Sequence, residues 1–93
     1  MTREIIVQVL ESEGIKPVGG TFAVRDDREA TCFVATPGDL LPVLRVVKVE
    51  LRDKSVLLET AKDERFHFAY ESILGFKLAA TSTPKDRAAG FGR

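Results

Sequence analysis

From Val43 to Leu78 apolar and polar residues alternate with a period of two, the pattern of half-buried β-strands. In "VLRVVKVELR" (43–52), Val43, Arg45, Val47, Val49 and Leu51 share one face, and Leu44, Val46, Lys48, Glu50 and Arg52 share the other. "SVLLETA" follows after Asp53 and Lys54. A two-residue hairpin loop there sets Leu51 opposite Val56, Val49 opposite Leu58 and Val47 opposite Thr60, with Lys48 facing Glu59 across the outer side. "RFHFAY" supplies the next strand. A three-residue loop at Lys62-Asp63-Glu64 pairs Phe66 with Thr60, Phe68 with Leu58 and Tyr70 with Val56, which keeps the aromatics on the core side. A one-residue slip would place them among the charges. "YESI" interrupts the pattern, and "LGFKLA" resumes it with Leu74, Phe76 and Leu78 inward.

The first half is less regular. Ile5, Ile6, Val9 and Leu10 fall at helical spacing, with Gly14 at a C-cap position and Pro17 three residues later, which predicts a helix over about 2–13. The β-branched residues of "EIIVQVLE" leave a strand as the alternative. "PVGG" (17–20) is a break, with Gly19 and Gly20 read as a hinge. Strands are predicted at 21–25 and 31–36, joined by the charged turn "RDDRE", and "PGDLLP" (37–42) is a second break because proline is unfriendly to a central strand.

Length and composition narrow the function classes. Ninety-three residues with 44% hydrophobic content make one small domain, expected over 1–80. Fourteen basic residues balance fourteen acidic ones, so no bulk field favours nucleic acid or an anionic membrane. Residues 81–93, "TSTPKDRAAGFGR", lack periodicity and are expected to be a disordered C-terminal tail. That tail carries Lys85, Arg87 and Arg93 with Phe91 between glycines, the makings of an anchor that orders on a partner. The start of the chain does not read as a signal peptide, and no apolar run is long enough to span a bilayer. A cytoplasmic protein is the expectation, and a single cysteine suits a reducing compartment.

The residues that can carry chemistry are few. His67 is the one histidine, and the pairing above sets it beside Glu59 on the outer face, with Lys48 beyond and Arg65 two positions along. No nucleophile or second ligand accompanies it, so a solvated polar row is the expected reading, not a general base. Cys32 lies in the apolar run "ATCFVA" and reads as a small buried hydrophobe. Asp26, Asp27 and Glu29 alternate with Arg25 and Arg28, a charged turn and not a cation site. No catalytic set, metal site or cofactor site is expected.

Residues 46–79, with "RVVKVELR", "SVLLETA", "RFHFAY" and "ESILGFKLA", resemble the Sm-like variety of small SH3-like barrel, and the N-terminal helix is similar to that of the bacterial Sm-like RNA chaperones. The resemblance implies a small barrel, and in those families oligomeric rings that bind RNA. Where the bacterial family has Tyr-Lys-His at its last turn, this chain has Tyr70, Glu71 and Ser72, so only the tyrosine is kept. The PilZ domains share a barrel with a flanking helix, but their arginine-rich and Asp-x-Ser-x-x-Gly motifs are missing here, and their function is not carried over.

The expectation is therefore a mostly-β fold: a small SH3-like antiparallel barrel of five to six strands with an N-terminal helix. The expected function is a non-enzymatic protein-interaction or regulatory module acting through an edge strand, the outer sheet face or the tail. Homo-oligomerisation through edge strands is the accompanying expectation. The alternative is an oligomeric barrel binding RNA or single-stranded nucleic acid. The candidate contact residues for either partner are Lys48, Arg65, His67, Lys85, Arg87, Phe91 and Arg93.

Overall fold

The computed structural model describes residues 1–81. A helix, α1 (Arg3–Ser12), precedes seven strands: β1 (Pro17–Val18), β2 (Thr21–Ala23), β3 (Arg28–Thr36), β4 (Asp39–Leu51), β5 (Ser55–Thr60), β6 (Arg65–Ala69) and β7 (Ile73–Ala80). A 3-10 turn at Tyr70–Ser72 links β6 to β7. The strands form one curled antiparallel sheet, a half-barrel, so the small mostly-β architecture is as expected. The predicted tail, with Lys85, Arg87, Phe91 and Arg93, lies outside the described residues beyond Thr81. Thr81 itself is held: its N–H donates to the Asp27 carbonyl at 2.9 Å.

The first segment is the helix, not the strand. Thr2 caps it, its hydroxyl accepting the Ile5 N–H at 3.2 Å. At the other end Gly14, at φ +81°, donates to the Glu11 carbonyl and Ile15 donates to the Leu10 carbonyl, a Schellman closure that only a residue at ease with positive φ permits. Ile6, Leu10 and Ile15 are buried in the core, whereas Ile5 is 45% exposed. The predicted four-residue stripe is thus narrower than its spacing suggested. The α-amino group of Met1 donates to the carbonyls of Tyr70 and Ile73, at 2.9 and 2.7 Å, tying α1 to the 3-10 turn.

Several breaks prove to be tight turns inside the sheet. Gly19 and Gly20, at φ +61° and +84°, close a hairpin between β1 and β2, so "PVGG" is not a hinge. The charged turn shrinks to Asp26-Asp27, and Arg28 already begins β3. β2 and β3 are not partners: both pair with β4, which also takes β5 on its other edge. In "PGDLLP" the turn is Pro37-Gly38 alone. Asp39 starts β4, and Pro42 sits within it opposite Phe33.

β4 is bent, and the bend re-phases its side chains. Arg45 has φ +56°, and the ladders are irregular on both sides of Val46. Each bulge adds a residue and moves the following side chains to the opposite face. Val43, Val46, Val49 and Leu51 are buried, while Arg45 is exposed and Val47 half-buried. Val46, not Val47, therefore faces Thr60. Beyond the bend the predicted pairs Leu51–Val56, Val49–Leu58 and Lys48–Glu59 all form.

The β5–β6 loop is a three-residue loop set one position earlier than predicted. It comprises Ala61, Lys62 and Asp63, with the Thr60 N–H donating to the Glu64 carbonyl at 2.9 Å. Asp63 adopts φ +63° as the last loop residue, a conformation that aspartate tolerates. The Thr60 hydroxyl accepts the N–H groups of Lys62 and Glu64, both at 3.3 Å. A shift of two in pairing preserves the face, so Phe66 and Phe68 still point to the core, now opposite Leu58 and Val56. They are half-buried and stacked, ring centroids 5.9 Å apart. In β7 a second irregularity against β3 ejects Leu74: Ile73 is buried opposite Val34, Gly75 faces Phe33, and Leu74 is 53% exposed.

Candidate docking surface

The predicted contact residues on the sheet come together on its outer face. Lys48, Glu59 and Arg65 form one cross-strand row, and Glu50, Leu57 and His67 form the next. His67 thus meets Leu57, not Glu59, because the earlier loop shifts β6 by two residues. The Glu–His pair does not exist, and Glu59 instead separates two cations. Glu50 is drawn to Arg52 at 2.8 Å. This face is a mixed-charge row and not a positive platform.

The other sequence candidates resolve as structural groups. Cys32 is fully buried, and burial pushes its thiol up to about 12, so it is protonated and inert at neutral pH. In the charged turn Asp27 pairs with Arg25 at 3.0 Å, and Arg28 pairs with Glu13 at the end of α1. Among the described residues no group of three or more His, Cys, Asp or Glu is placed to hold a metal ion. No helix among them is long and apolar enough to cross a membrane.

A different surface stands out, and the sequence reading missed it. β3 and β5 take opposite edges of β4 at Val46, and β5 goes no further than that residue. From Asp39 to Leu44 the β5-side edge of β4 is therefore unpaired among the described residues. A groove of about 400 Å³ lies there, walled by Leu41, Pro42, Val43 and Leu44 on β4 and by Phe66 on β6, with Arg45, Lys62 and Glu64 at its polar side. Leu40, Leu41 and Leu44 are 48%, 38% and 62% exposed. Three aliphatic side chains this exposed on one short segment exceed the scattered single residues that any protein shows, and two of them, Leu41 and Leu44, wall the groove. The signal was present in the run "LLPVL", since a strand cannot bury both of its faces against a single core. A smaller cavity of about 230 Å³ opens near the bend, beside the β2–β3 turn and Thr81, and shares Arg45 with the groove.

Comparison with protein-family models, with curated proteins and with solved structures finds no match to this chain.

Proposed function

We propose that the chain is an SH3-like small barrel serving as a non-enzymatic protein-interaction or regulatory module in the cytoplasm, and that its docking surface is the groove beside the unpaired segment of β4. The observation that carries this reading is the exposure of Leu41 and Leu44 in the wall of a concave site. Exposed aliphatic area costs solubility, and covering it by a partner returns about 25 cal/mol for each Å² removed from water. The strand order supports the barrel reading: β3–β4–β5–β6 follow as consecutive hairpins, and β7 returns after a 3-10 turn to pair with β3. The free, buried Cys32 suits a reducing compartment.

The test is a comparison of the wild-type chain with a Leu41→Asp, Leu44→Asp double variant. Leu41 and Leu44 are 38% and 62% exposed, so the variant is expected to stay folded with a melting temperature lowered by roughly 5–15 °C. In quantitative affinity capture, the partner recovered by the wild type should be lost to the variant, and ultraviolet absorbance should show no co-purifying nucleic acid. Equal recovery by both proteins would remove the groove from the reading. Nucleic acid in the wild-type eluate would favour the RNA-binding alternative.

A further inference from the structure

The groove also carries information about what fits it. Two cations line it, Arg45 and Lys62, and among the described residues neither lies within salt-bridge distance of a carboxylate. The acid on the same wall, Glu64, is turned to the Thr60 hydroxyl, 3.3 Å away. An apolar side chain entering between Leu41, Leu44 and Phe66 would expel water around both cations. With Glu64 counted the lining keeps a net positive charge whose field strengthens as water leaves, so a ligand bearing negative charge next to its apolar anchor is favoured and a basic one is penalised.

The backbone narrows the mode of binding. The Pro37-Gly38 turn makes Thr36 and Asp39 the closing pair of the β3–β4 hairpin. By the alternation of an antiparallel ladder, Leu40 and Pro42 then turn their backbone groups to the unpaired edge. Pro42 has no N–H to offer, and the Leu40 N–H already donates to the Asp39 carboxylate at 2.7 Å. Two successive donors that an added strand would need are thus missing, a known guard against edge pairing. The contact must be made through side chains.

Resting on the interaction-module reading above, we propose that the groove receives an acidic segment of a partner protein, anchored by one large apolar side chain and held by charge at Arg45 and Lys62, without strand addition. The probes are three capped peptides: acetyl-Glu-Glu-Leu-Phe-Asp-Asp-amide, the same peptide with lysine at every acidic position, and the acidic peptide with Leu-Phe replaced by Ser-Gly. Each is titrated into the ¹⁵N-labelled full chain and followed by amide chemical shifts. Only the acidic, apolar peptide is expected to bind, with shifts concentrated at residues 41–45 and 62–66 and affinity falling as salt is raised. Its affinity should drop at least roughly tenfold in an Arg45→Gly, Lys62→Ala variant and stay unchanged in Lys48→Ala on the outer face. Arg45→Gly suits the left-handed backbone at that position, so folding is retained. Equal binding of the basic peptide, or shifts that run along β4 as protected amides of a new strand pair, would overturn the proposal. So would a decathymidylate that shifts the same residues more strongly than the acidic peptide. If none of the peptides binds while the Leu41→Asp, Leu44→Asp variant still loses its partner, the docking surface stands and the acidic-segment inference falls.

Discussion

Two adjacent isoleucines in α1 should respond very differently to the same truncation. Ile6 is fully buried in the core, whereas Ile5, one position earlier, is 45% exposed. Ile→Ala removes three carbons, about 0.8 kcal/mol each when fully buried, or roughly 2.4 kcal/mol of transfer free energy. For Ile6 a cavity term adds to this, because neighbouring core side chains collapse only in part, and the expected loss is about 3–4 kcal/mol. For Ile5 only about half of the side chain leaves water on folding and no closed cavity forms, so the loss is about 1.3 kcal/mol. Alanine's higher helix propensity recovers roughly 0.4 kcal/mol at either position and cancels in the comparison. The two variants should thus differ by about 2–3 kcal/mol. The chain has no tryptophan, so urea unfolding is followed by far-UV circular dichroism. Equal losses, or a larger loss at Ile5, would mean that α1 does not present Ile6 and Leu10 to the sheet and would refute the phase of the helix.

Three further outcomes follow from particular groups. Arg45→Gly removes the cost of a side chain at φ +56° and incurs the added chain entropy of glycine, so urea unfolding should show anything from no change to a gain of about 1 kcal/mol; a loss larger than that would contradict the bend. Thr60→Val keeps the volume of a buried residue but takes the shared acceptor from the N–H groups of Lys62 and Glu64, and should cost about 1–3 kcal/mol in the same assay, whereas an unchanged midpoint would deny the hydroxyl its part in the loop. Burial raises the Cys32 thiol from its ordinary 9.0 to about 12, so the unfolded chain releases that proton at a pH where the fold still holds it. The contribution is complete below 9.0 and is lost as pH rises toward about 12, by up to about 1.4 kcal/mol per pH unit. Cys32→Ala should flatten the alkaline slope of stability by that amount, and an identical slope in both proteins would exclude the thiol as its source.

The parts of the fold legible in the sequence were those governed by period and composition. The alternation of "VKVEL" and "SVLLE" fixed three cross-strand pairs because a short loop and two opposed apolar rows admit one register. The phenylalanines of "RFHFAY" fell on the correct face for the same reason, although the loop began one residue earlier. What decided that residue was local: a threonine hydroxyl collecting two N–H groups and an aspartate willing to take positive φ. Neither effect leaves a mark on hydrophobic periodicity. The contact of His67 with Leu57 in place of Glu59 follows from that single-residue difference, which is how a turn far from a candidate pair can abolish it.

The bulges were illegible for a deeper reason, and the groove of the proposed docking surface lies at one of them. A strand that alternates faithfully buries one face and leaves the other polar, so any run of aliphatics that breaks alternation must either be buried twice or be exposed. In "LLPVLRVV" the positive φ of Arg45 resolves the conflict by re-phasing β4: Val43 and Val46 both go inward, and Leu44 is left outside. A leucine at that position adds nothing to the core, and the arginine in a left-handed conformation adds strain of about 1–2 kcal/mol. Glycine at position 45 and a polar residue at position 44 would meet the needs of folding better. That both choices run against stability, on the same few residues that wall the groove, is what the proposed docking role predicts of this segment.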